Sequence, residues 1–254
     1  MITALSSQGA TLLRVFLWLG AALLLPQPPA AAAEFSAPQR QAIEAIIRDY
    51  LTKNPELLLD ALQAAEDRIK GEAREKASAA LVARKQEIFD DPETPIAGNP
   101  KGDAVLVEFF DYRCPYCKQA EPALEALLSE DRQLRVVYKE FPVLGPDSVM
   151  AARAALAARK QGKYDAMHRA LMAHKGQMDE TAIFKTASSA GLDVDRLKRD
   201  MAGADIDRML KANAALAKAL DIHGTPGFVI GDDIVPGAIS LEALKSLIAA
   251  SRRK

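Results

Sequence analysis

Residues 107–117 read Val-Glu-Phe-Phe-Asp-Tyr-Arg-Cys-Pro-Tyr-Cys. An apolar run with the look of a buried strand passes straight into Cys-x-x-Cys, and a pattern with helical spacing follows. Cys114 and Cys117 are the only cysteines in 254 residues. Residues three apart on a helix share a face, so both sulfurs can meet there. Cys114 falls at the helix start and Pro115 in the first turn, where a missing N–H leaves no bond unmade. Unpaired amides and the helix dipole favour negative charge at that end. Cys114 is therefore expected to be a thiolate nucleophile. A structural disulfide is the bland alternative, but so short a loop removes little entropy from the unfolded chain. Structural zinc needs four ligands, and no second Cys or His pair has suitable spacing. The spacing thus favours a redox pair over a metal site or a structural bridge.

Outward from this stretch, Ala104-Val-Leu-Val-Glu-Phe-Phe110 is nearly all apolar, as expected of a strand covered on both faces. Glu108 interrupts it. A carboxylate inside such a strand is unfavourable unless paired or functional. Either Glu108 lies near an open end, or it sits beneath the Cys pair and exchanges protons with Cys117. The Cys helix continues through Ala120, Leu124, Leu127 and Leu128, and a strand is expected at 134–138. That order makes a βαβ unit with a parallel pair. Residues 147–221 read as helical throughout, punctuated by glycines. Two short strands, Phe228–Ile230 and Ile234–Val235, flank a hairpin signal at Gly231-Asp232-Asp233, and Ser240 caps a last helix. Thr225-Pro226 stands before the hairpin. About one X-Pro bond in twenty is cis, so spacing leaves its isomer open. The three histidines, His168, His174 and His223, are scattered and read as surface or cap residues.

The first 33 residues carry Arg14, a short apolar run at 15–25, prolines, and Ala30 to Ala33. They read as a signal peptide cleaved after Ala33, with an uncleaved anchor as the alternative. The mature chain is then exported, into the periplasm, where an oxidising environment suits its cysteines. A net charge of −1, with both signs interspersed, gives no nucleic-acid surface. Residues 34–90 read as a helical extension. Ser36 caps a helix with Ile43, Ile46, Ile47, Tyr50 and Leu51 on one stripe. Beyond Asn54-Pro55, Leu58, Leu62, Ala65 and Ile69 form a short heptad seam. These stripes cannot be buried by the extension alone. Self-association is the favoured expectation, and docking on the following domain the alternative. Residues 91–100, rich in proline, read as a linker.

The strand ending in Glu-Phe-Phe, Cys-Pro-Tyr-Cys, the helical insertion and Thr-Pro before a hairpin together resemble the DsbA family of exported thiol–disulfide oxidoreductases. The likeness covers about residues 100–250. Residues 48–56, Arg-Asp-Tyr-Leu-Thr-Lys-Asn-Pro-Glu, resemble the extension of its suppressor-of-copper-sensitivity C subfamily, some of whose members trimerise. The resemblance implies an α/β thioredoxin fold at 101–254 with a helical insertion at 147–221, preceded by an all-helical extension. It implies an exposed attacking Cys114, a buried resolving Cys117, and Glu108 as the buried acid. Pro115 and Tyr116 would tune the redox potential. Pro226 would be a cis-proline facing the disulfide, and Thr225 would offer backbone hydrogen bonds to an extended substrate. The family's best-known oxidase has His at the place of Tyr116. Tyrosine carries no positive charge, so a less oxidising pair is expected, with Arg113 compensating in part. No cofactor beyond the redox-active disulfide is expected. The partners implied are unfolded or misoxidised exported proteins, a membrane redox partner and further copies of the chain, a trimer being favoured. Disulfide isomerase or reductase activity is the first reading. A dithiol oxidase and a copper(I) binder using the two thiolates are the alternatives.

Overall fold

The computed structural model describes residues 35–253. The signal-peptide reading falls on residues outside that range. The chain divides into two compact units, Met1–Ala64 and Ala65–Lys254.

In the first unit, α1 spans Ala37–Lys53 and α2 begins at Glu56, running to Ala83. The Ser36 N–H donates to Gln39 Oε1 at 2.9 Å, as a capping box requires. Asn54 ends α1 through its backbone N–H on Tyr50 O. α1 buries none of its residues, and Ile46, Ile47, Tyr50, Leu58 and Leu62 are all exposed.

The second unit is built on a five-stranded sheet ordered β1-β3-β2-β4-β5. The strands are β1 (Ile96–Gly98), β2 (Ala104–Phe110), β3 (Leu134–Glu140), β4 (Gly227–Ile230) and β5 (Asp233–Pro236). β2 and β3 pair in parallel across the crossover helix α4 (Pro115–Glu130), and the other pairs are antiparallel. Alternation along β2 feeds two cores. Leu106 and Phe110 join Cys117, Leu124 and Leu244 on one face, while Val107 and Phe109 join Leu216, Leu220 and Ile222 on the other. Glu108 shares the parity of Leu106 and Phe110, so it points into the cysteine-side core. After β3 come α5 (Pro146–Ala158), α6 (Tyr164–Ala173), α7 (Glu180–Ser189), α8 (Val194–Met201) and α9 (Ala204–Ala219), and α10 (Leu241–Ser251) closes the chain.

Two boundaries differ from those expected. The stretch 91–100 is not only a linker, because Ile96–Gly98 forms β1 on the edge beside β3. Three residues are too few to show a strand's alternation. The core also starts well before residue 101. Leu81 in α2 and Ile88 in α3 (Lys85–Phe89) are buried with Val107, Phe109 and Val137. Lys139 explains part of this anchoring. It is buried, and its Nζ donates to Glu87 O and Thr94 Oγ1, both at 2.7 Å. Burial weakens its hold on a proton and the nearby Asp91 charge opposes that.

Leu81→Ala is expected to destabilise the fold by about 2–5 kcal/mol, because it empties a closed core site. Val82→Ala, at a side chain 64% exposed, is expected to change it by under about 0.5 kcal/mol. Urea denaturation of the two variants checks this, and equal effects would contradict the packing of the α2 end.

Candidate functional site

The carboxylate of Asp111 organises the turn between β2 and α4. Its Oδ1 accepts the Arg113 N–H at 2.8 Å, and its Oδ2 accepts those of Val143 and Leu144 at 2.9 and 3.0 Å. One buried side chain thus fixes both the residues before Cys114 and the loop after β3. Gly145, at φ +105°, turns that loop into α5, a conformation in which L side chains are strained. Arg113 reaches over the same loop, donating from Nη1 to Leu144 O at 2.7 Å and lying 4.0 Å from Asp147.

Cys114 is the N-cap of α4 and Pro115 its first residue, as the spacing predicts. Cys117 lies one turn in, fully buried. Both are free thiols. The Thr225–Pro226 bond is cis, and the Cys114 thiol donates to Thr225 O at 3.2 Å. The hairpin loop is thereby held against the helix start. Gly227 lets the loop fold closely onto Ile222, since a Cβ there would meet Ile222 Cγ2 at 2.7 Å. One expectation needs correction. Cys114 is not openly exposed: only 4% of it is accessible, because Thr225 and its own turn cover the sulfur. Tyr116 is the exposed member of the motif, at 62%.

Glu108 lies beneath this pair and is wholly buried. Neither of its carboxyl oxygens has a hydrogen-bond partner. Burial is the main cause that raises its proton affinity well above the ordinary carboxyl range, and the charges of Glu121, Cys114 and Glu140 add to it. Cys117 is likewise pushed far up, first by burial and then by the Glu108 charge. Both shifts favour the protonated forms of the resolving thiol and of the acid below it.

Several residues of this neighbourhood escape a reading of the sequence. Glu140, at the end of β3, is fully buried, and its Oε1 accepts the hydroxyls of Tyr112 and Tyr164, both at 2.9 Å. Burial raises its pKa to about 8, against the pull of those two bonds. His168, read as a surface or cap residue, is 1% exposed and sits among aromatic rings. A charged residue closing an apolar strand was the available signal for Glu140. Asp-x-Arg before the cysteine, an Asx-turn pattern, was the signal for Asp111. His168 offered none. Among the described residues, no three His, Cys, Asp or Glu side chains gather in a metal-holding arrangement. No helix there is long and apolar enough to cross a membrane.

Comparison with known proteins follows this geometry. The DSBA-like thioredoxin domain model matches residues 105–249, and the copper resistance protein ScsC N-terminal domain model matches 39–72. A thioredoxin-like oxidoreductase from Silicibacter pomeroyi is 44% identical, covering 67% of this chain and 98% of its own, with a TM-score of 0.66. ScsC from Proteus mirabilis, in a transitional conformation, is 30% identical over 86% of this chain and 99% of its own, with a TM-score of 0.64. A Na(+)/H(+) antiporter, NhaA 3 of Salinispora tropica, is 30% identical over 180 residues. The match takes in 68% of this chain but only 28% of the antiporter's length.

The raised carboxyls make stability fall with pH. An unfolded glutamic acid ionises near 4.5, whereas folded Glu108 and Glu140 keep their protons to higher pH, Glu140 to about 8. Between those values the unfolded chain binds fewer protons, so each rise in pH favours unfolding. Glu108→Gln is expected to flatten this decline between about pH 5 and pH 8, by up to about 1.4 kcal/mol per pH unit. Denaturation curves across that range check it, and an unchanged slope would count against a protonated, buried Glu108.

Proposed function

The chain belongs to the DSBA-like thioredoxin domain family, and on that premise we propose that it is an exported disulfide isomerase or reductase acting on misoxidised proteins. The fold is that of thiol–disulfide oxidoreductases, and it supports dithiol–disulfide exchange. One observation carries the reading: Cys114 begins α4 with its sulfur 3.2 Å from Thr225 O, beside a cis-proline, while Cys117 lies buried one turn along.

In this reading the Cys114 sulfur attacks a client disulfide, forming a mixed disulfide and releasing one client thiolate. Cys117 then attacks the Cys114 sulfur, closing the intramolecular disulfide and freeing the second client sulfur. Glu108 takes the proton leaving Cys117 when its own carboxyl is ionised, a form that burial makes the minor one. An extended client segment hydrogen-bonds to Thr225 O beside Pro226, in the manner of an added strand. Pro115, Tyr116 and Arg113 tune the pair. Tyr116 brings no charge and Arg113 shares its own with Asp147, which favours a less oxidising couple. A membrane redox partner returns the pair to the dithiol.

The direction of the chemistry rests on the extension. The ScsC-type match at 39–72 and the exposed apolar side chains of α1 and early α2 favour a homo-oligomer, a trimer above other numbers. Several active centres on one particle hold a client at more than one point and raise the effective concentration of its wrong disulfides. A dithiol oxidase is the alternative, favoured by a monomer. A second reading is copper(I) binding by the two thiolates, and it draws on the copper-resistance description of the matched N-terminal domain. Relatives such as a periplasmic thioredoxin-like protein from Salmonella enterica, 28% identical, support a periplasmic location.

Removing residues 35–64 leaves the core contacts of Leu81 and Ile88 in place. The truncated protein is expected to keep reducing a simple disulfide and to lose at least about tenfold of its rate on scrambled ribonuclease. Full isomerase activity after truncation would overturn the isomerase reading. Cys114→Ala is expected to abolish both activities, and turnover without that sulfur would move the chemistry elsewhere. Tight stoichiometric copper(I) uptake by a reduced protein that turns over no disulfide would favour the second reading.

A further inference from the structure

One hydrogen bond joins the start of α4 to the loop before β4, and its donor exists only in the dithiol. The Cys114 thiol donates to Thr225 O at 3.2 Å. Among the described residues it is the one donor to that carbonyl. Both partners are anchored by backbone bonds of their own. Cys114 N–H donates to Asp111 O at 3.0 Å, and Cys114 O accepts from Lys118 N–H at 3.2 Å. Across the gap, Pro226 O accepts from Gly237 N–H at 2.8 Å. Sulfur and carbonyl therefore face each other from fixed segments.

A disulfide sulfur carries no hydrogen. Once Cys114 is joined to Cys117 or to a client, its sulfur meets Thr225 O with lone pairs alone, acceptor against acceptor. A half-buried acceptor without a donor is unfavourable. Oxidation thus turns a satisfied carbonyl into one that needs a donor, and Pro226 has no N–H to supply it. The approach from outside is open. Gly224 is exposed, and a Cβ built on it would have nothing within 4 Å. A strand laid along this loop brings a backbone N–H to the carbonyl.

We propose that Thr225 O is a redox-gated acceptor, occupied by the Cys114 thiol in the dithiol and handed to the backbone N–H of an extended polypeptide when Cys114 is in a disulfide. The proposal rests on the reading that clients pair at Thr225. In the attack, the Cys114 proton goes to solvent base and the sulfur's electron pair forms a bond to one client sulfur. The client S–S bond breaks, and its other sulfur leaves as a thiolate. Cys114 now has no hydrogen, so the client N–H takes Thr225 O in the mixed disulfide. The covalent intermediate is thereby held more tightly than the encounter complex, which places binding energy where the reaction uses it. When a client thiolate attacks the client sulfur bound to Cys114, a new client disulfide forms and Cys114 leaves with the electron pair. It takes a proton from water, regains its donor and reclaims Thr225 O. Rearranged client is thus released by the same bond that its capture displaced.

The test measures binding of a capped, cysteine-free, fluorescently labelled octapeptide to the full chain. Oxidised wild type is expected to bind it about threefold to tenfold more tightly than reduced wild type, as one hydrogen bond allows. Cys114→Ala, which has no donor, is expected to match the oxidised protein. Cys114→Ser, whose hydroxyl still donates, is expected to match the reduced one. Single N-methylation along the peptide is expected to erase the difference at one amide, and a difference that survives at every position overturns the proposal. Equal affinity in both redox states also overturns it. The carbonyl carbon signal of Thr225 gives a second readout if peptide binding is weak. It is expected to move on oxidation, to move the same way in Cys114→Ala, and to stay in place in Cys114→Ser. A signal blind to this series overturns the proposal as well. Turnover of scrambled ribonuclease separates the layers. Turnover beside equal peptide affinities defeats this proposal alone. A redox-dependent affinity without turnover defeats the isomerase reading and upholds the hand-over at Thr225.

Discussion

The second unit is arranged around a carboxyl group that no hydrogen bond satisfies. Glu108 lies in the middle of the sheet on a strand covered on both faces, with both oxygens bare. Such a group is tolerated when it stays neutral, and burial with acidic neighbours keeps it so. Its place is set by parity alone. Leu106 and Phe110 must face α4 to build the core, and Glu108 between them must follow. The same parity delivers it under the cysteine helix. Stability is surrendered here for a proton-accepting site, the usual way in which a functional group offends local rules.

Around that acid, buried side chains tie separate backbone segments together. Asp111 fixes the turn and the loop after β3 through three backbone N–H groups. Glu140 gathers two tyrosine hydroxyls from different elements, and Asn213 of α9 donates to its backbone oxygen at 3.1 Å. The inserted helices are therefore joined to the active turn by buried polar contacts as well as by apolar packing. A network whose members are mostly satisfied resists rearrangement, because each broken bond strands a partner away from water.

Much of this was readable in the residues. The β2–α4–β3 unit, the helical run after it and the closing hairpin follow from periodicity and turn chemistry, since each is long or strongly punctuated. β1 was not legible, because a three-residue edge strand carries no pattern of its own and is defined by its partner β3. The early start of the core was hidden for a similar reason. Leu81 and Ile88 are ordinary apolar residues in a polar stretch, and only the sheet they meet gives them meaning. At the site, Cys114, Cys117 and Glu108 stood out by type and spacing. His168 and Glu140 both bond to the hydroxyl of Tyr112, which lies far from either in the chain, and nothing local in a sequence records such a meeting. The low accessibility of Cys114 had the same origin, since the covering carbonyl arrives from residue 225.

Lys139 and Glu140 are consecutive in β3, fully buried, and directed to opposite faces of the sheet. A slip of β3 by one position against β2 would exchange them. The ammonium would then lie among tyrosines with no acceptor arranged for it, and the carboxyl would meet the carbonyl of Glu87. Both groups would lose their hydrogen-bond partners at once, so misregistered pairing is opposed by polar contacts at the strand's end even where Val136 and Val137 are interchangeable. This adjacent pair works as a latch on alignment, set at the end of the strand nearest the thiols.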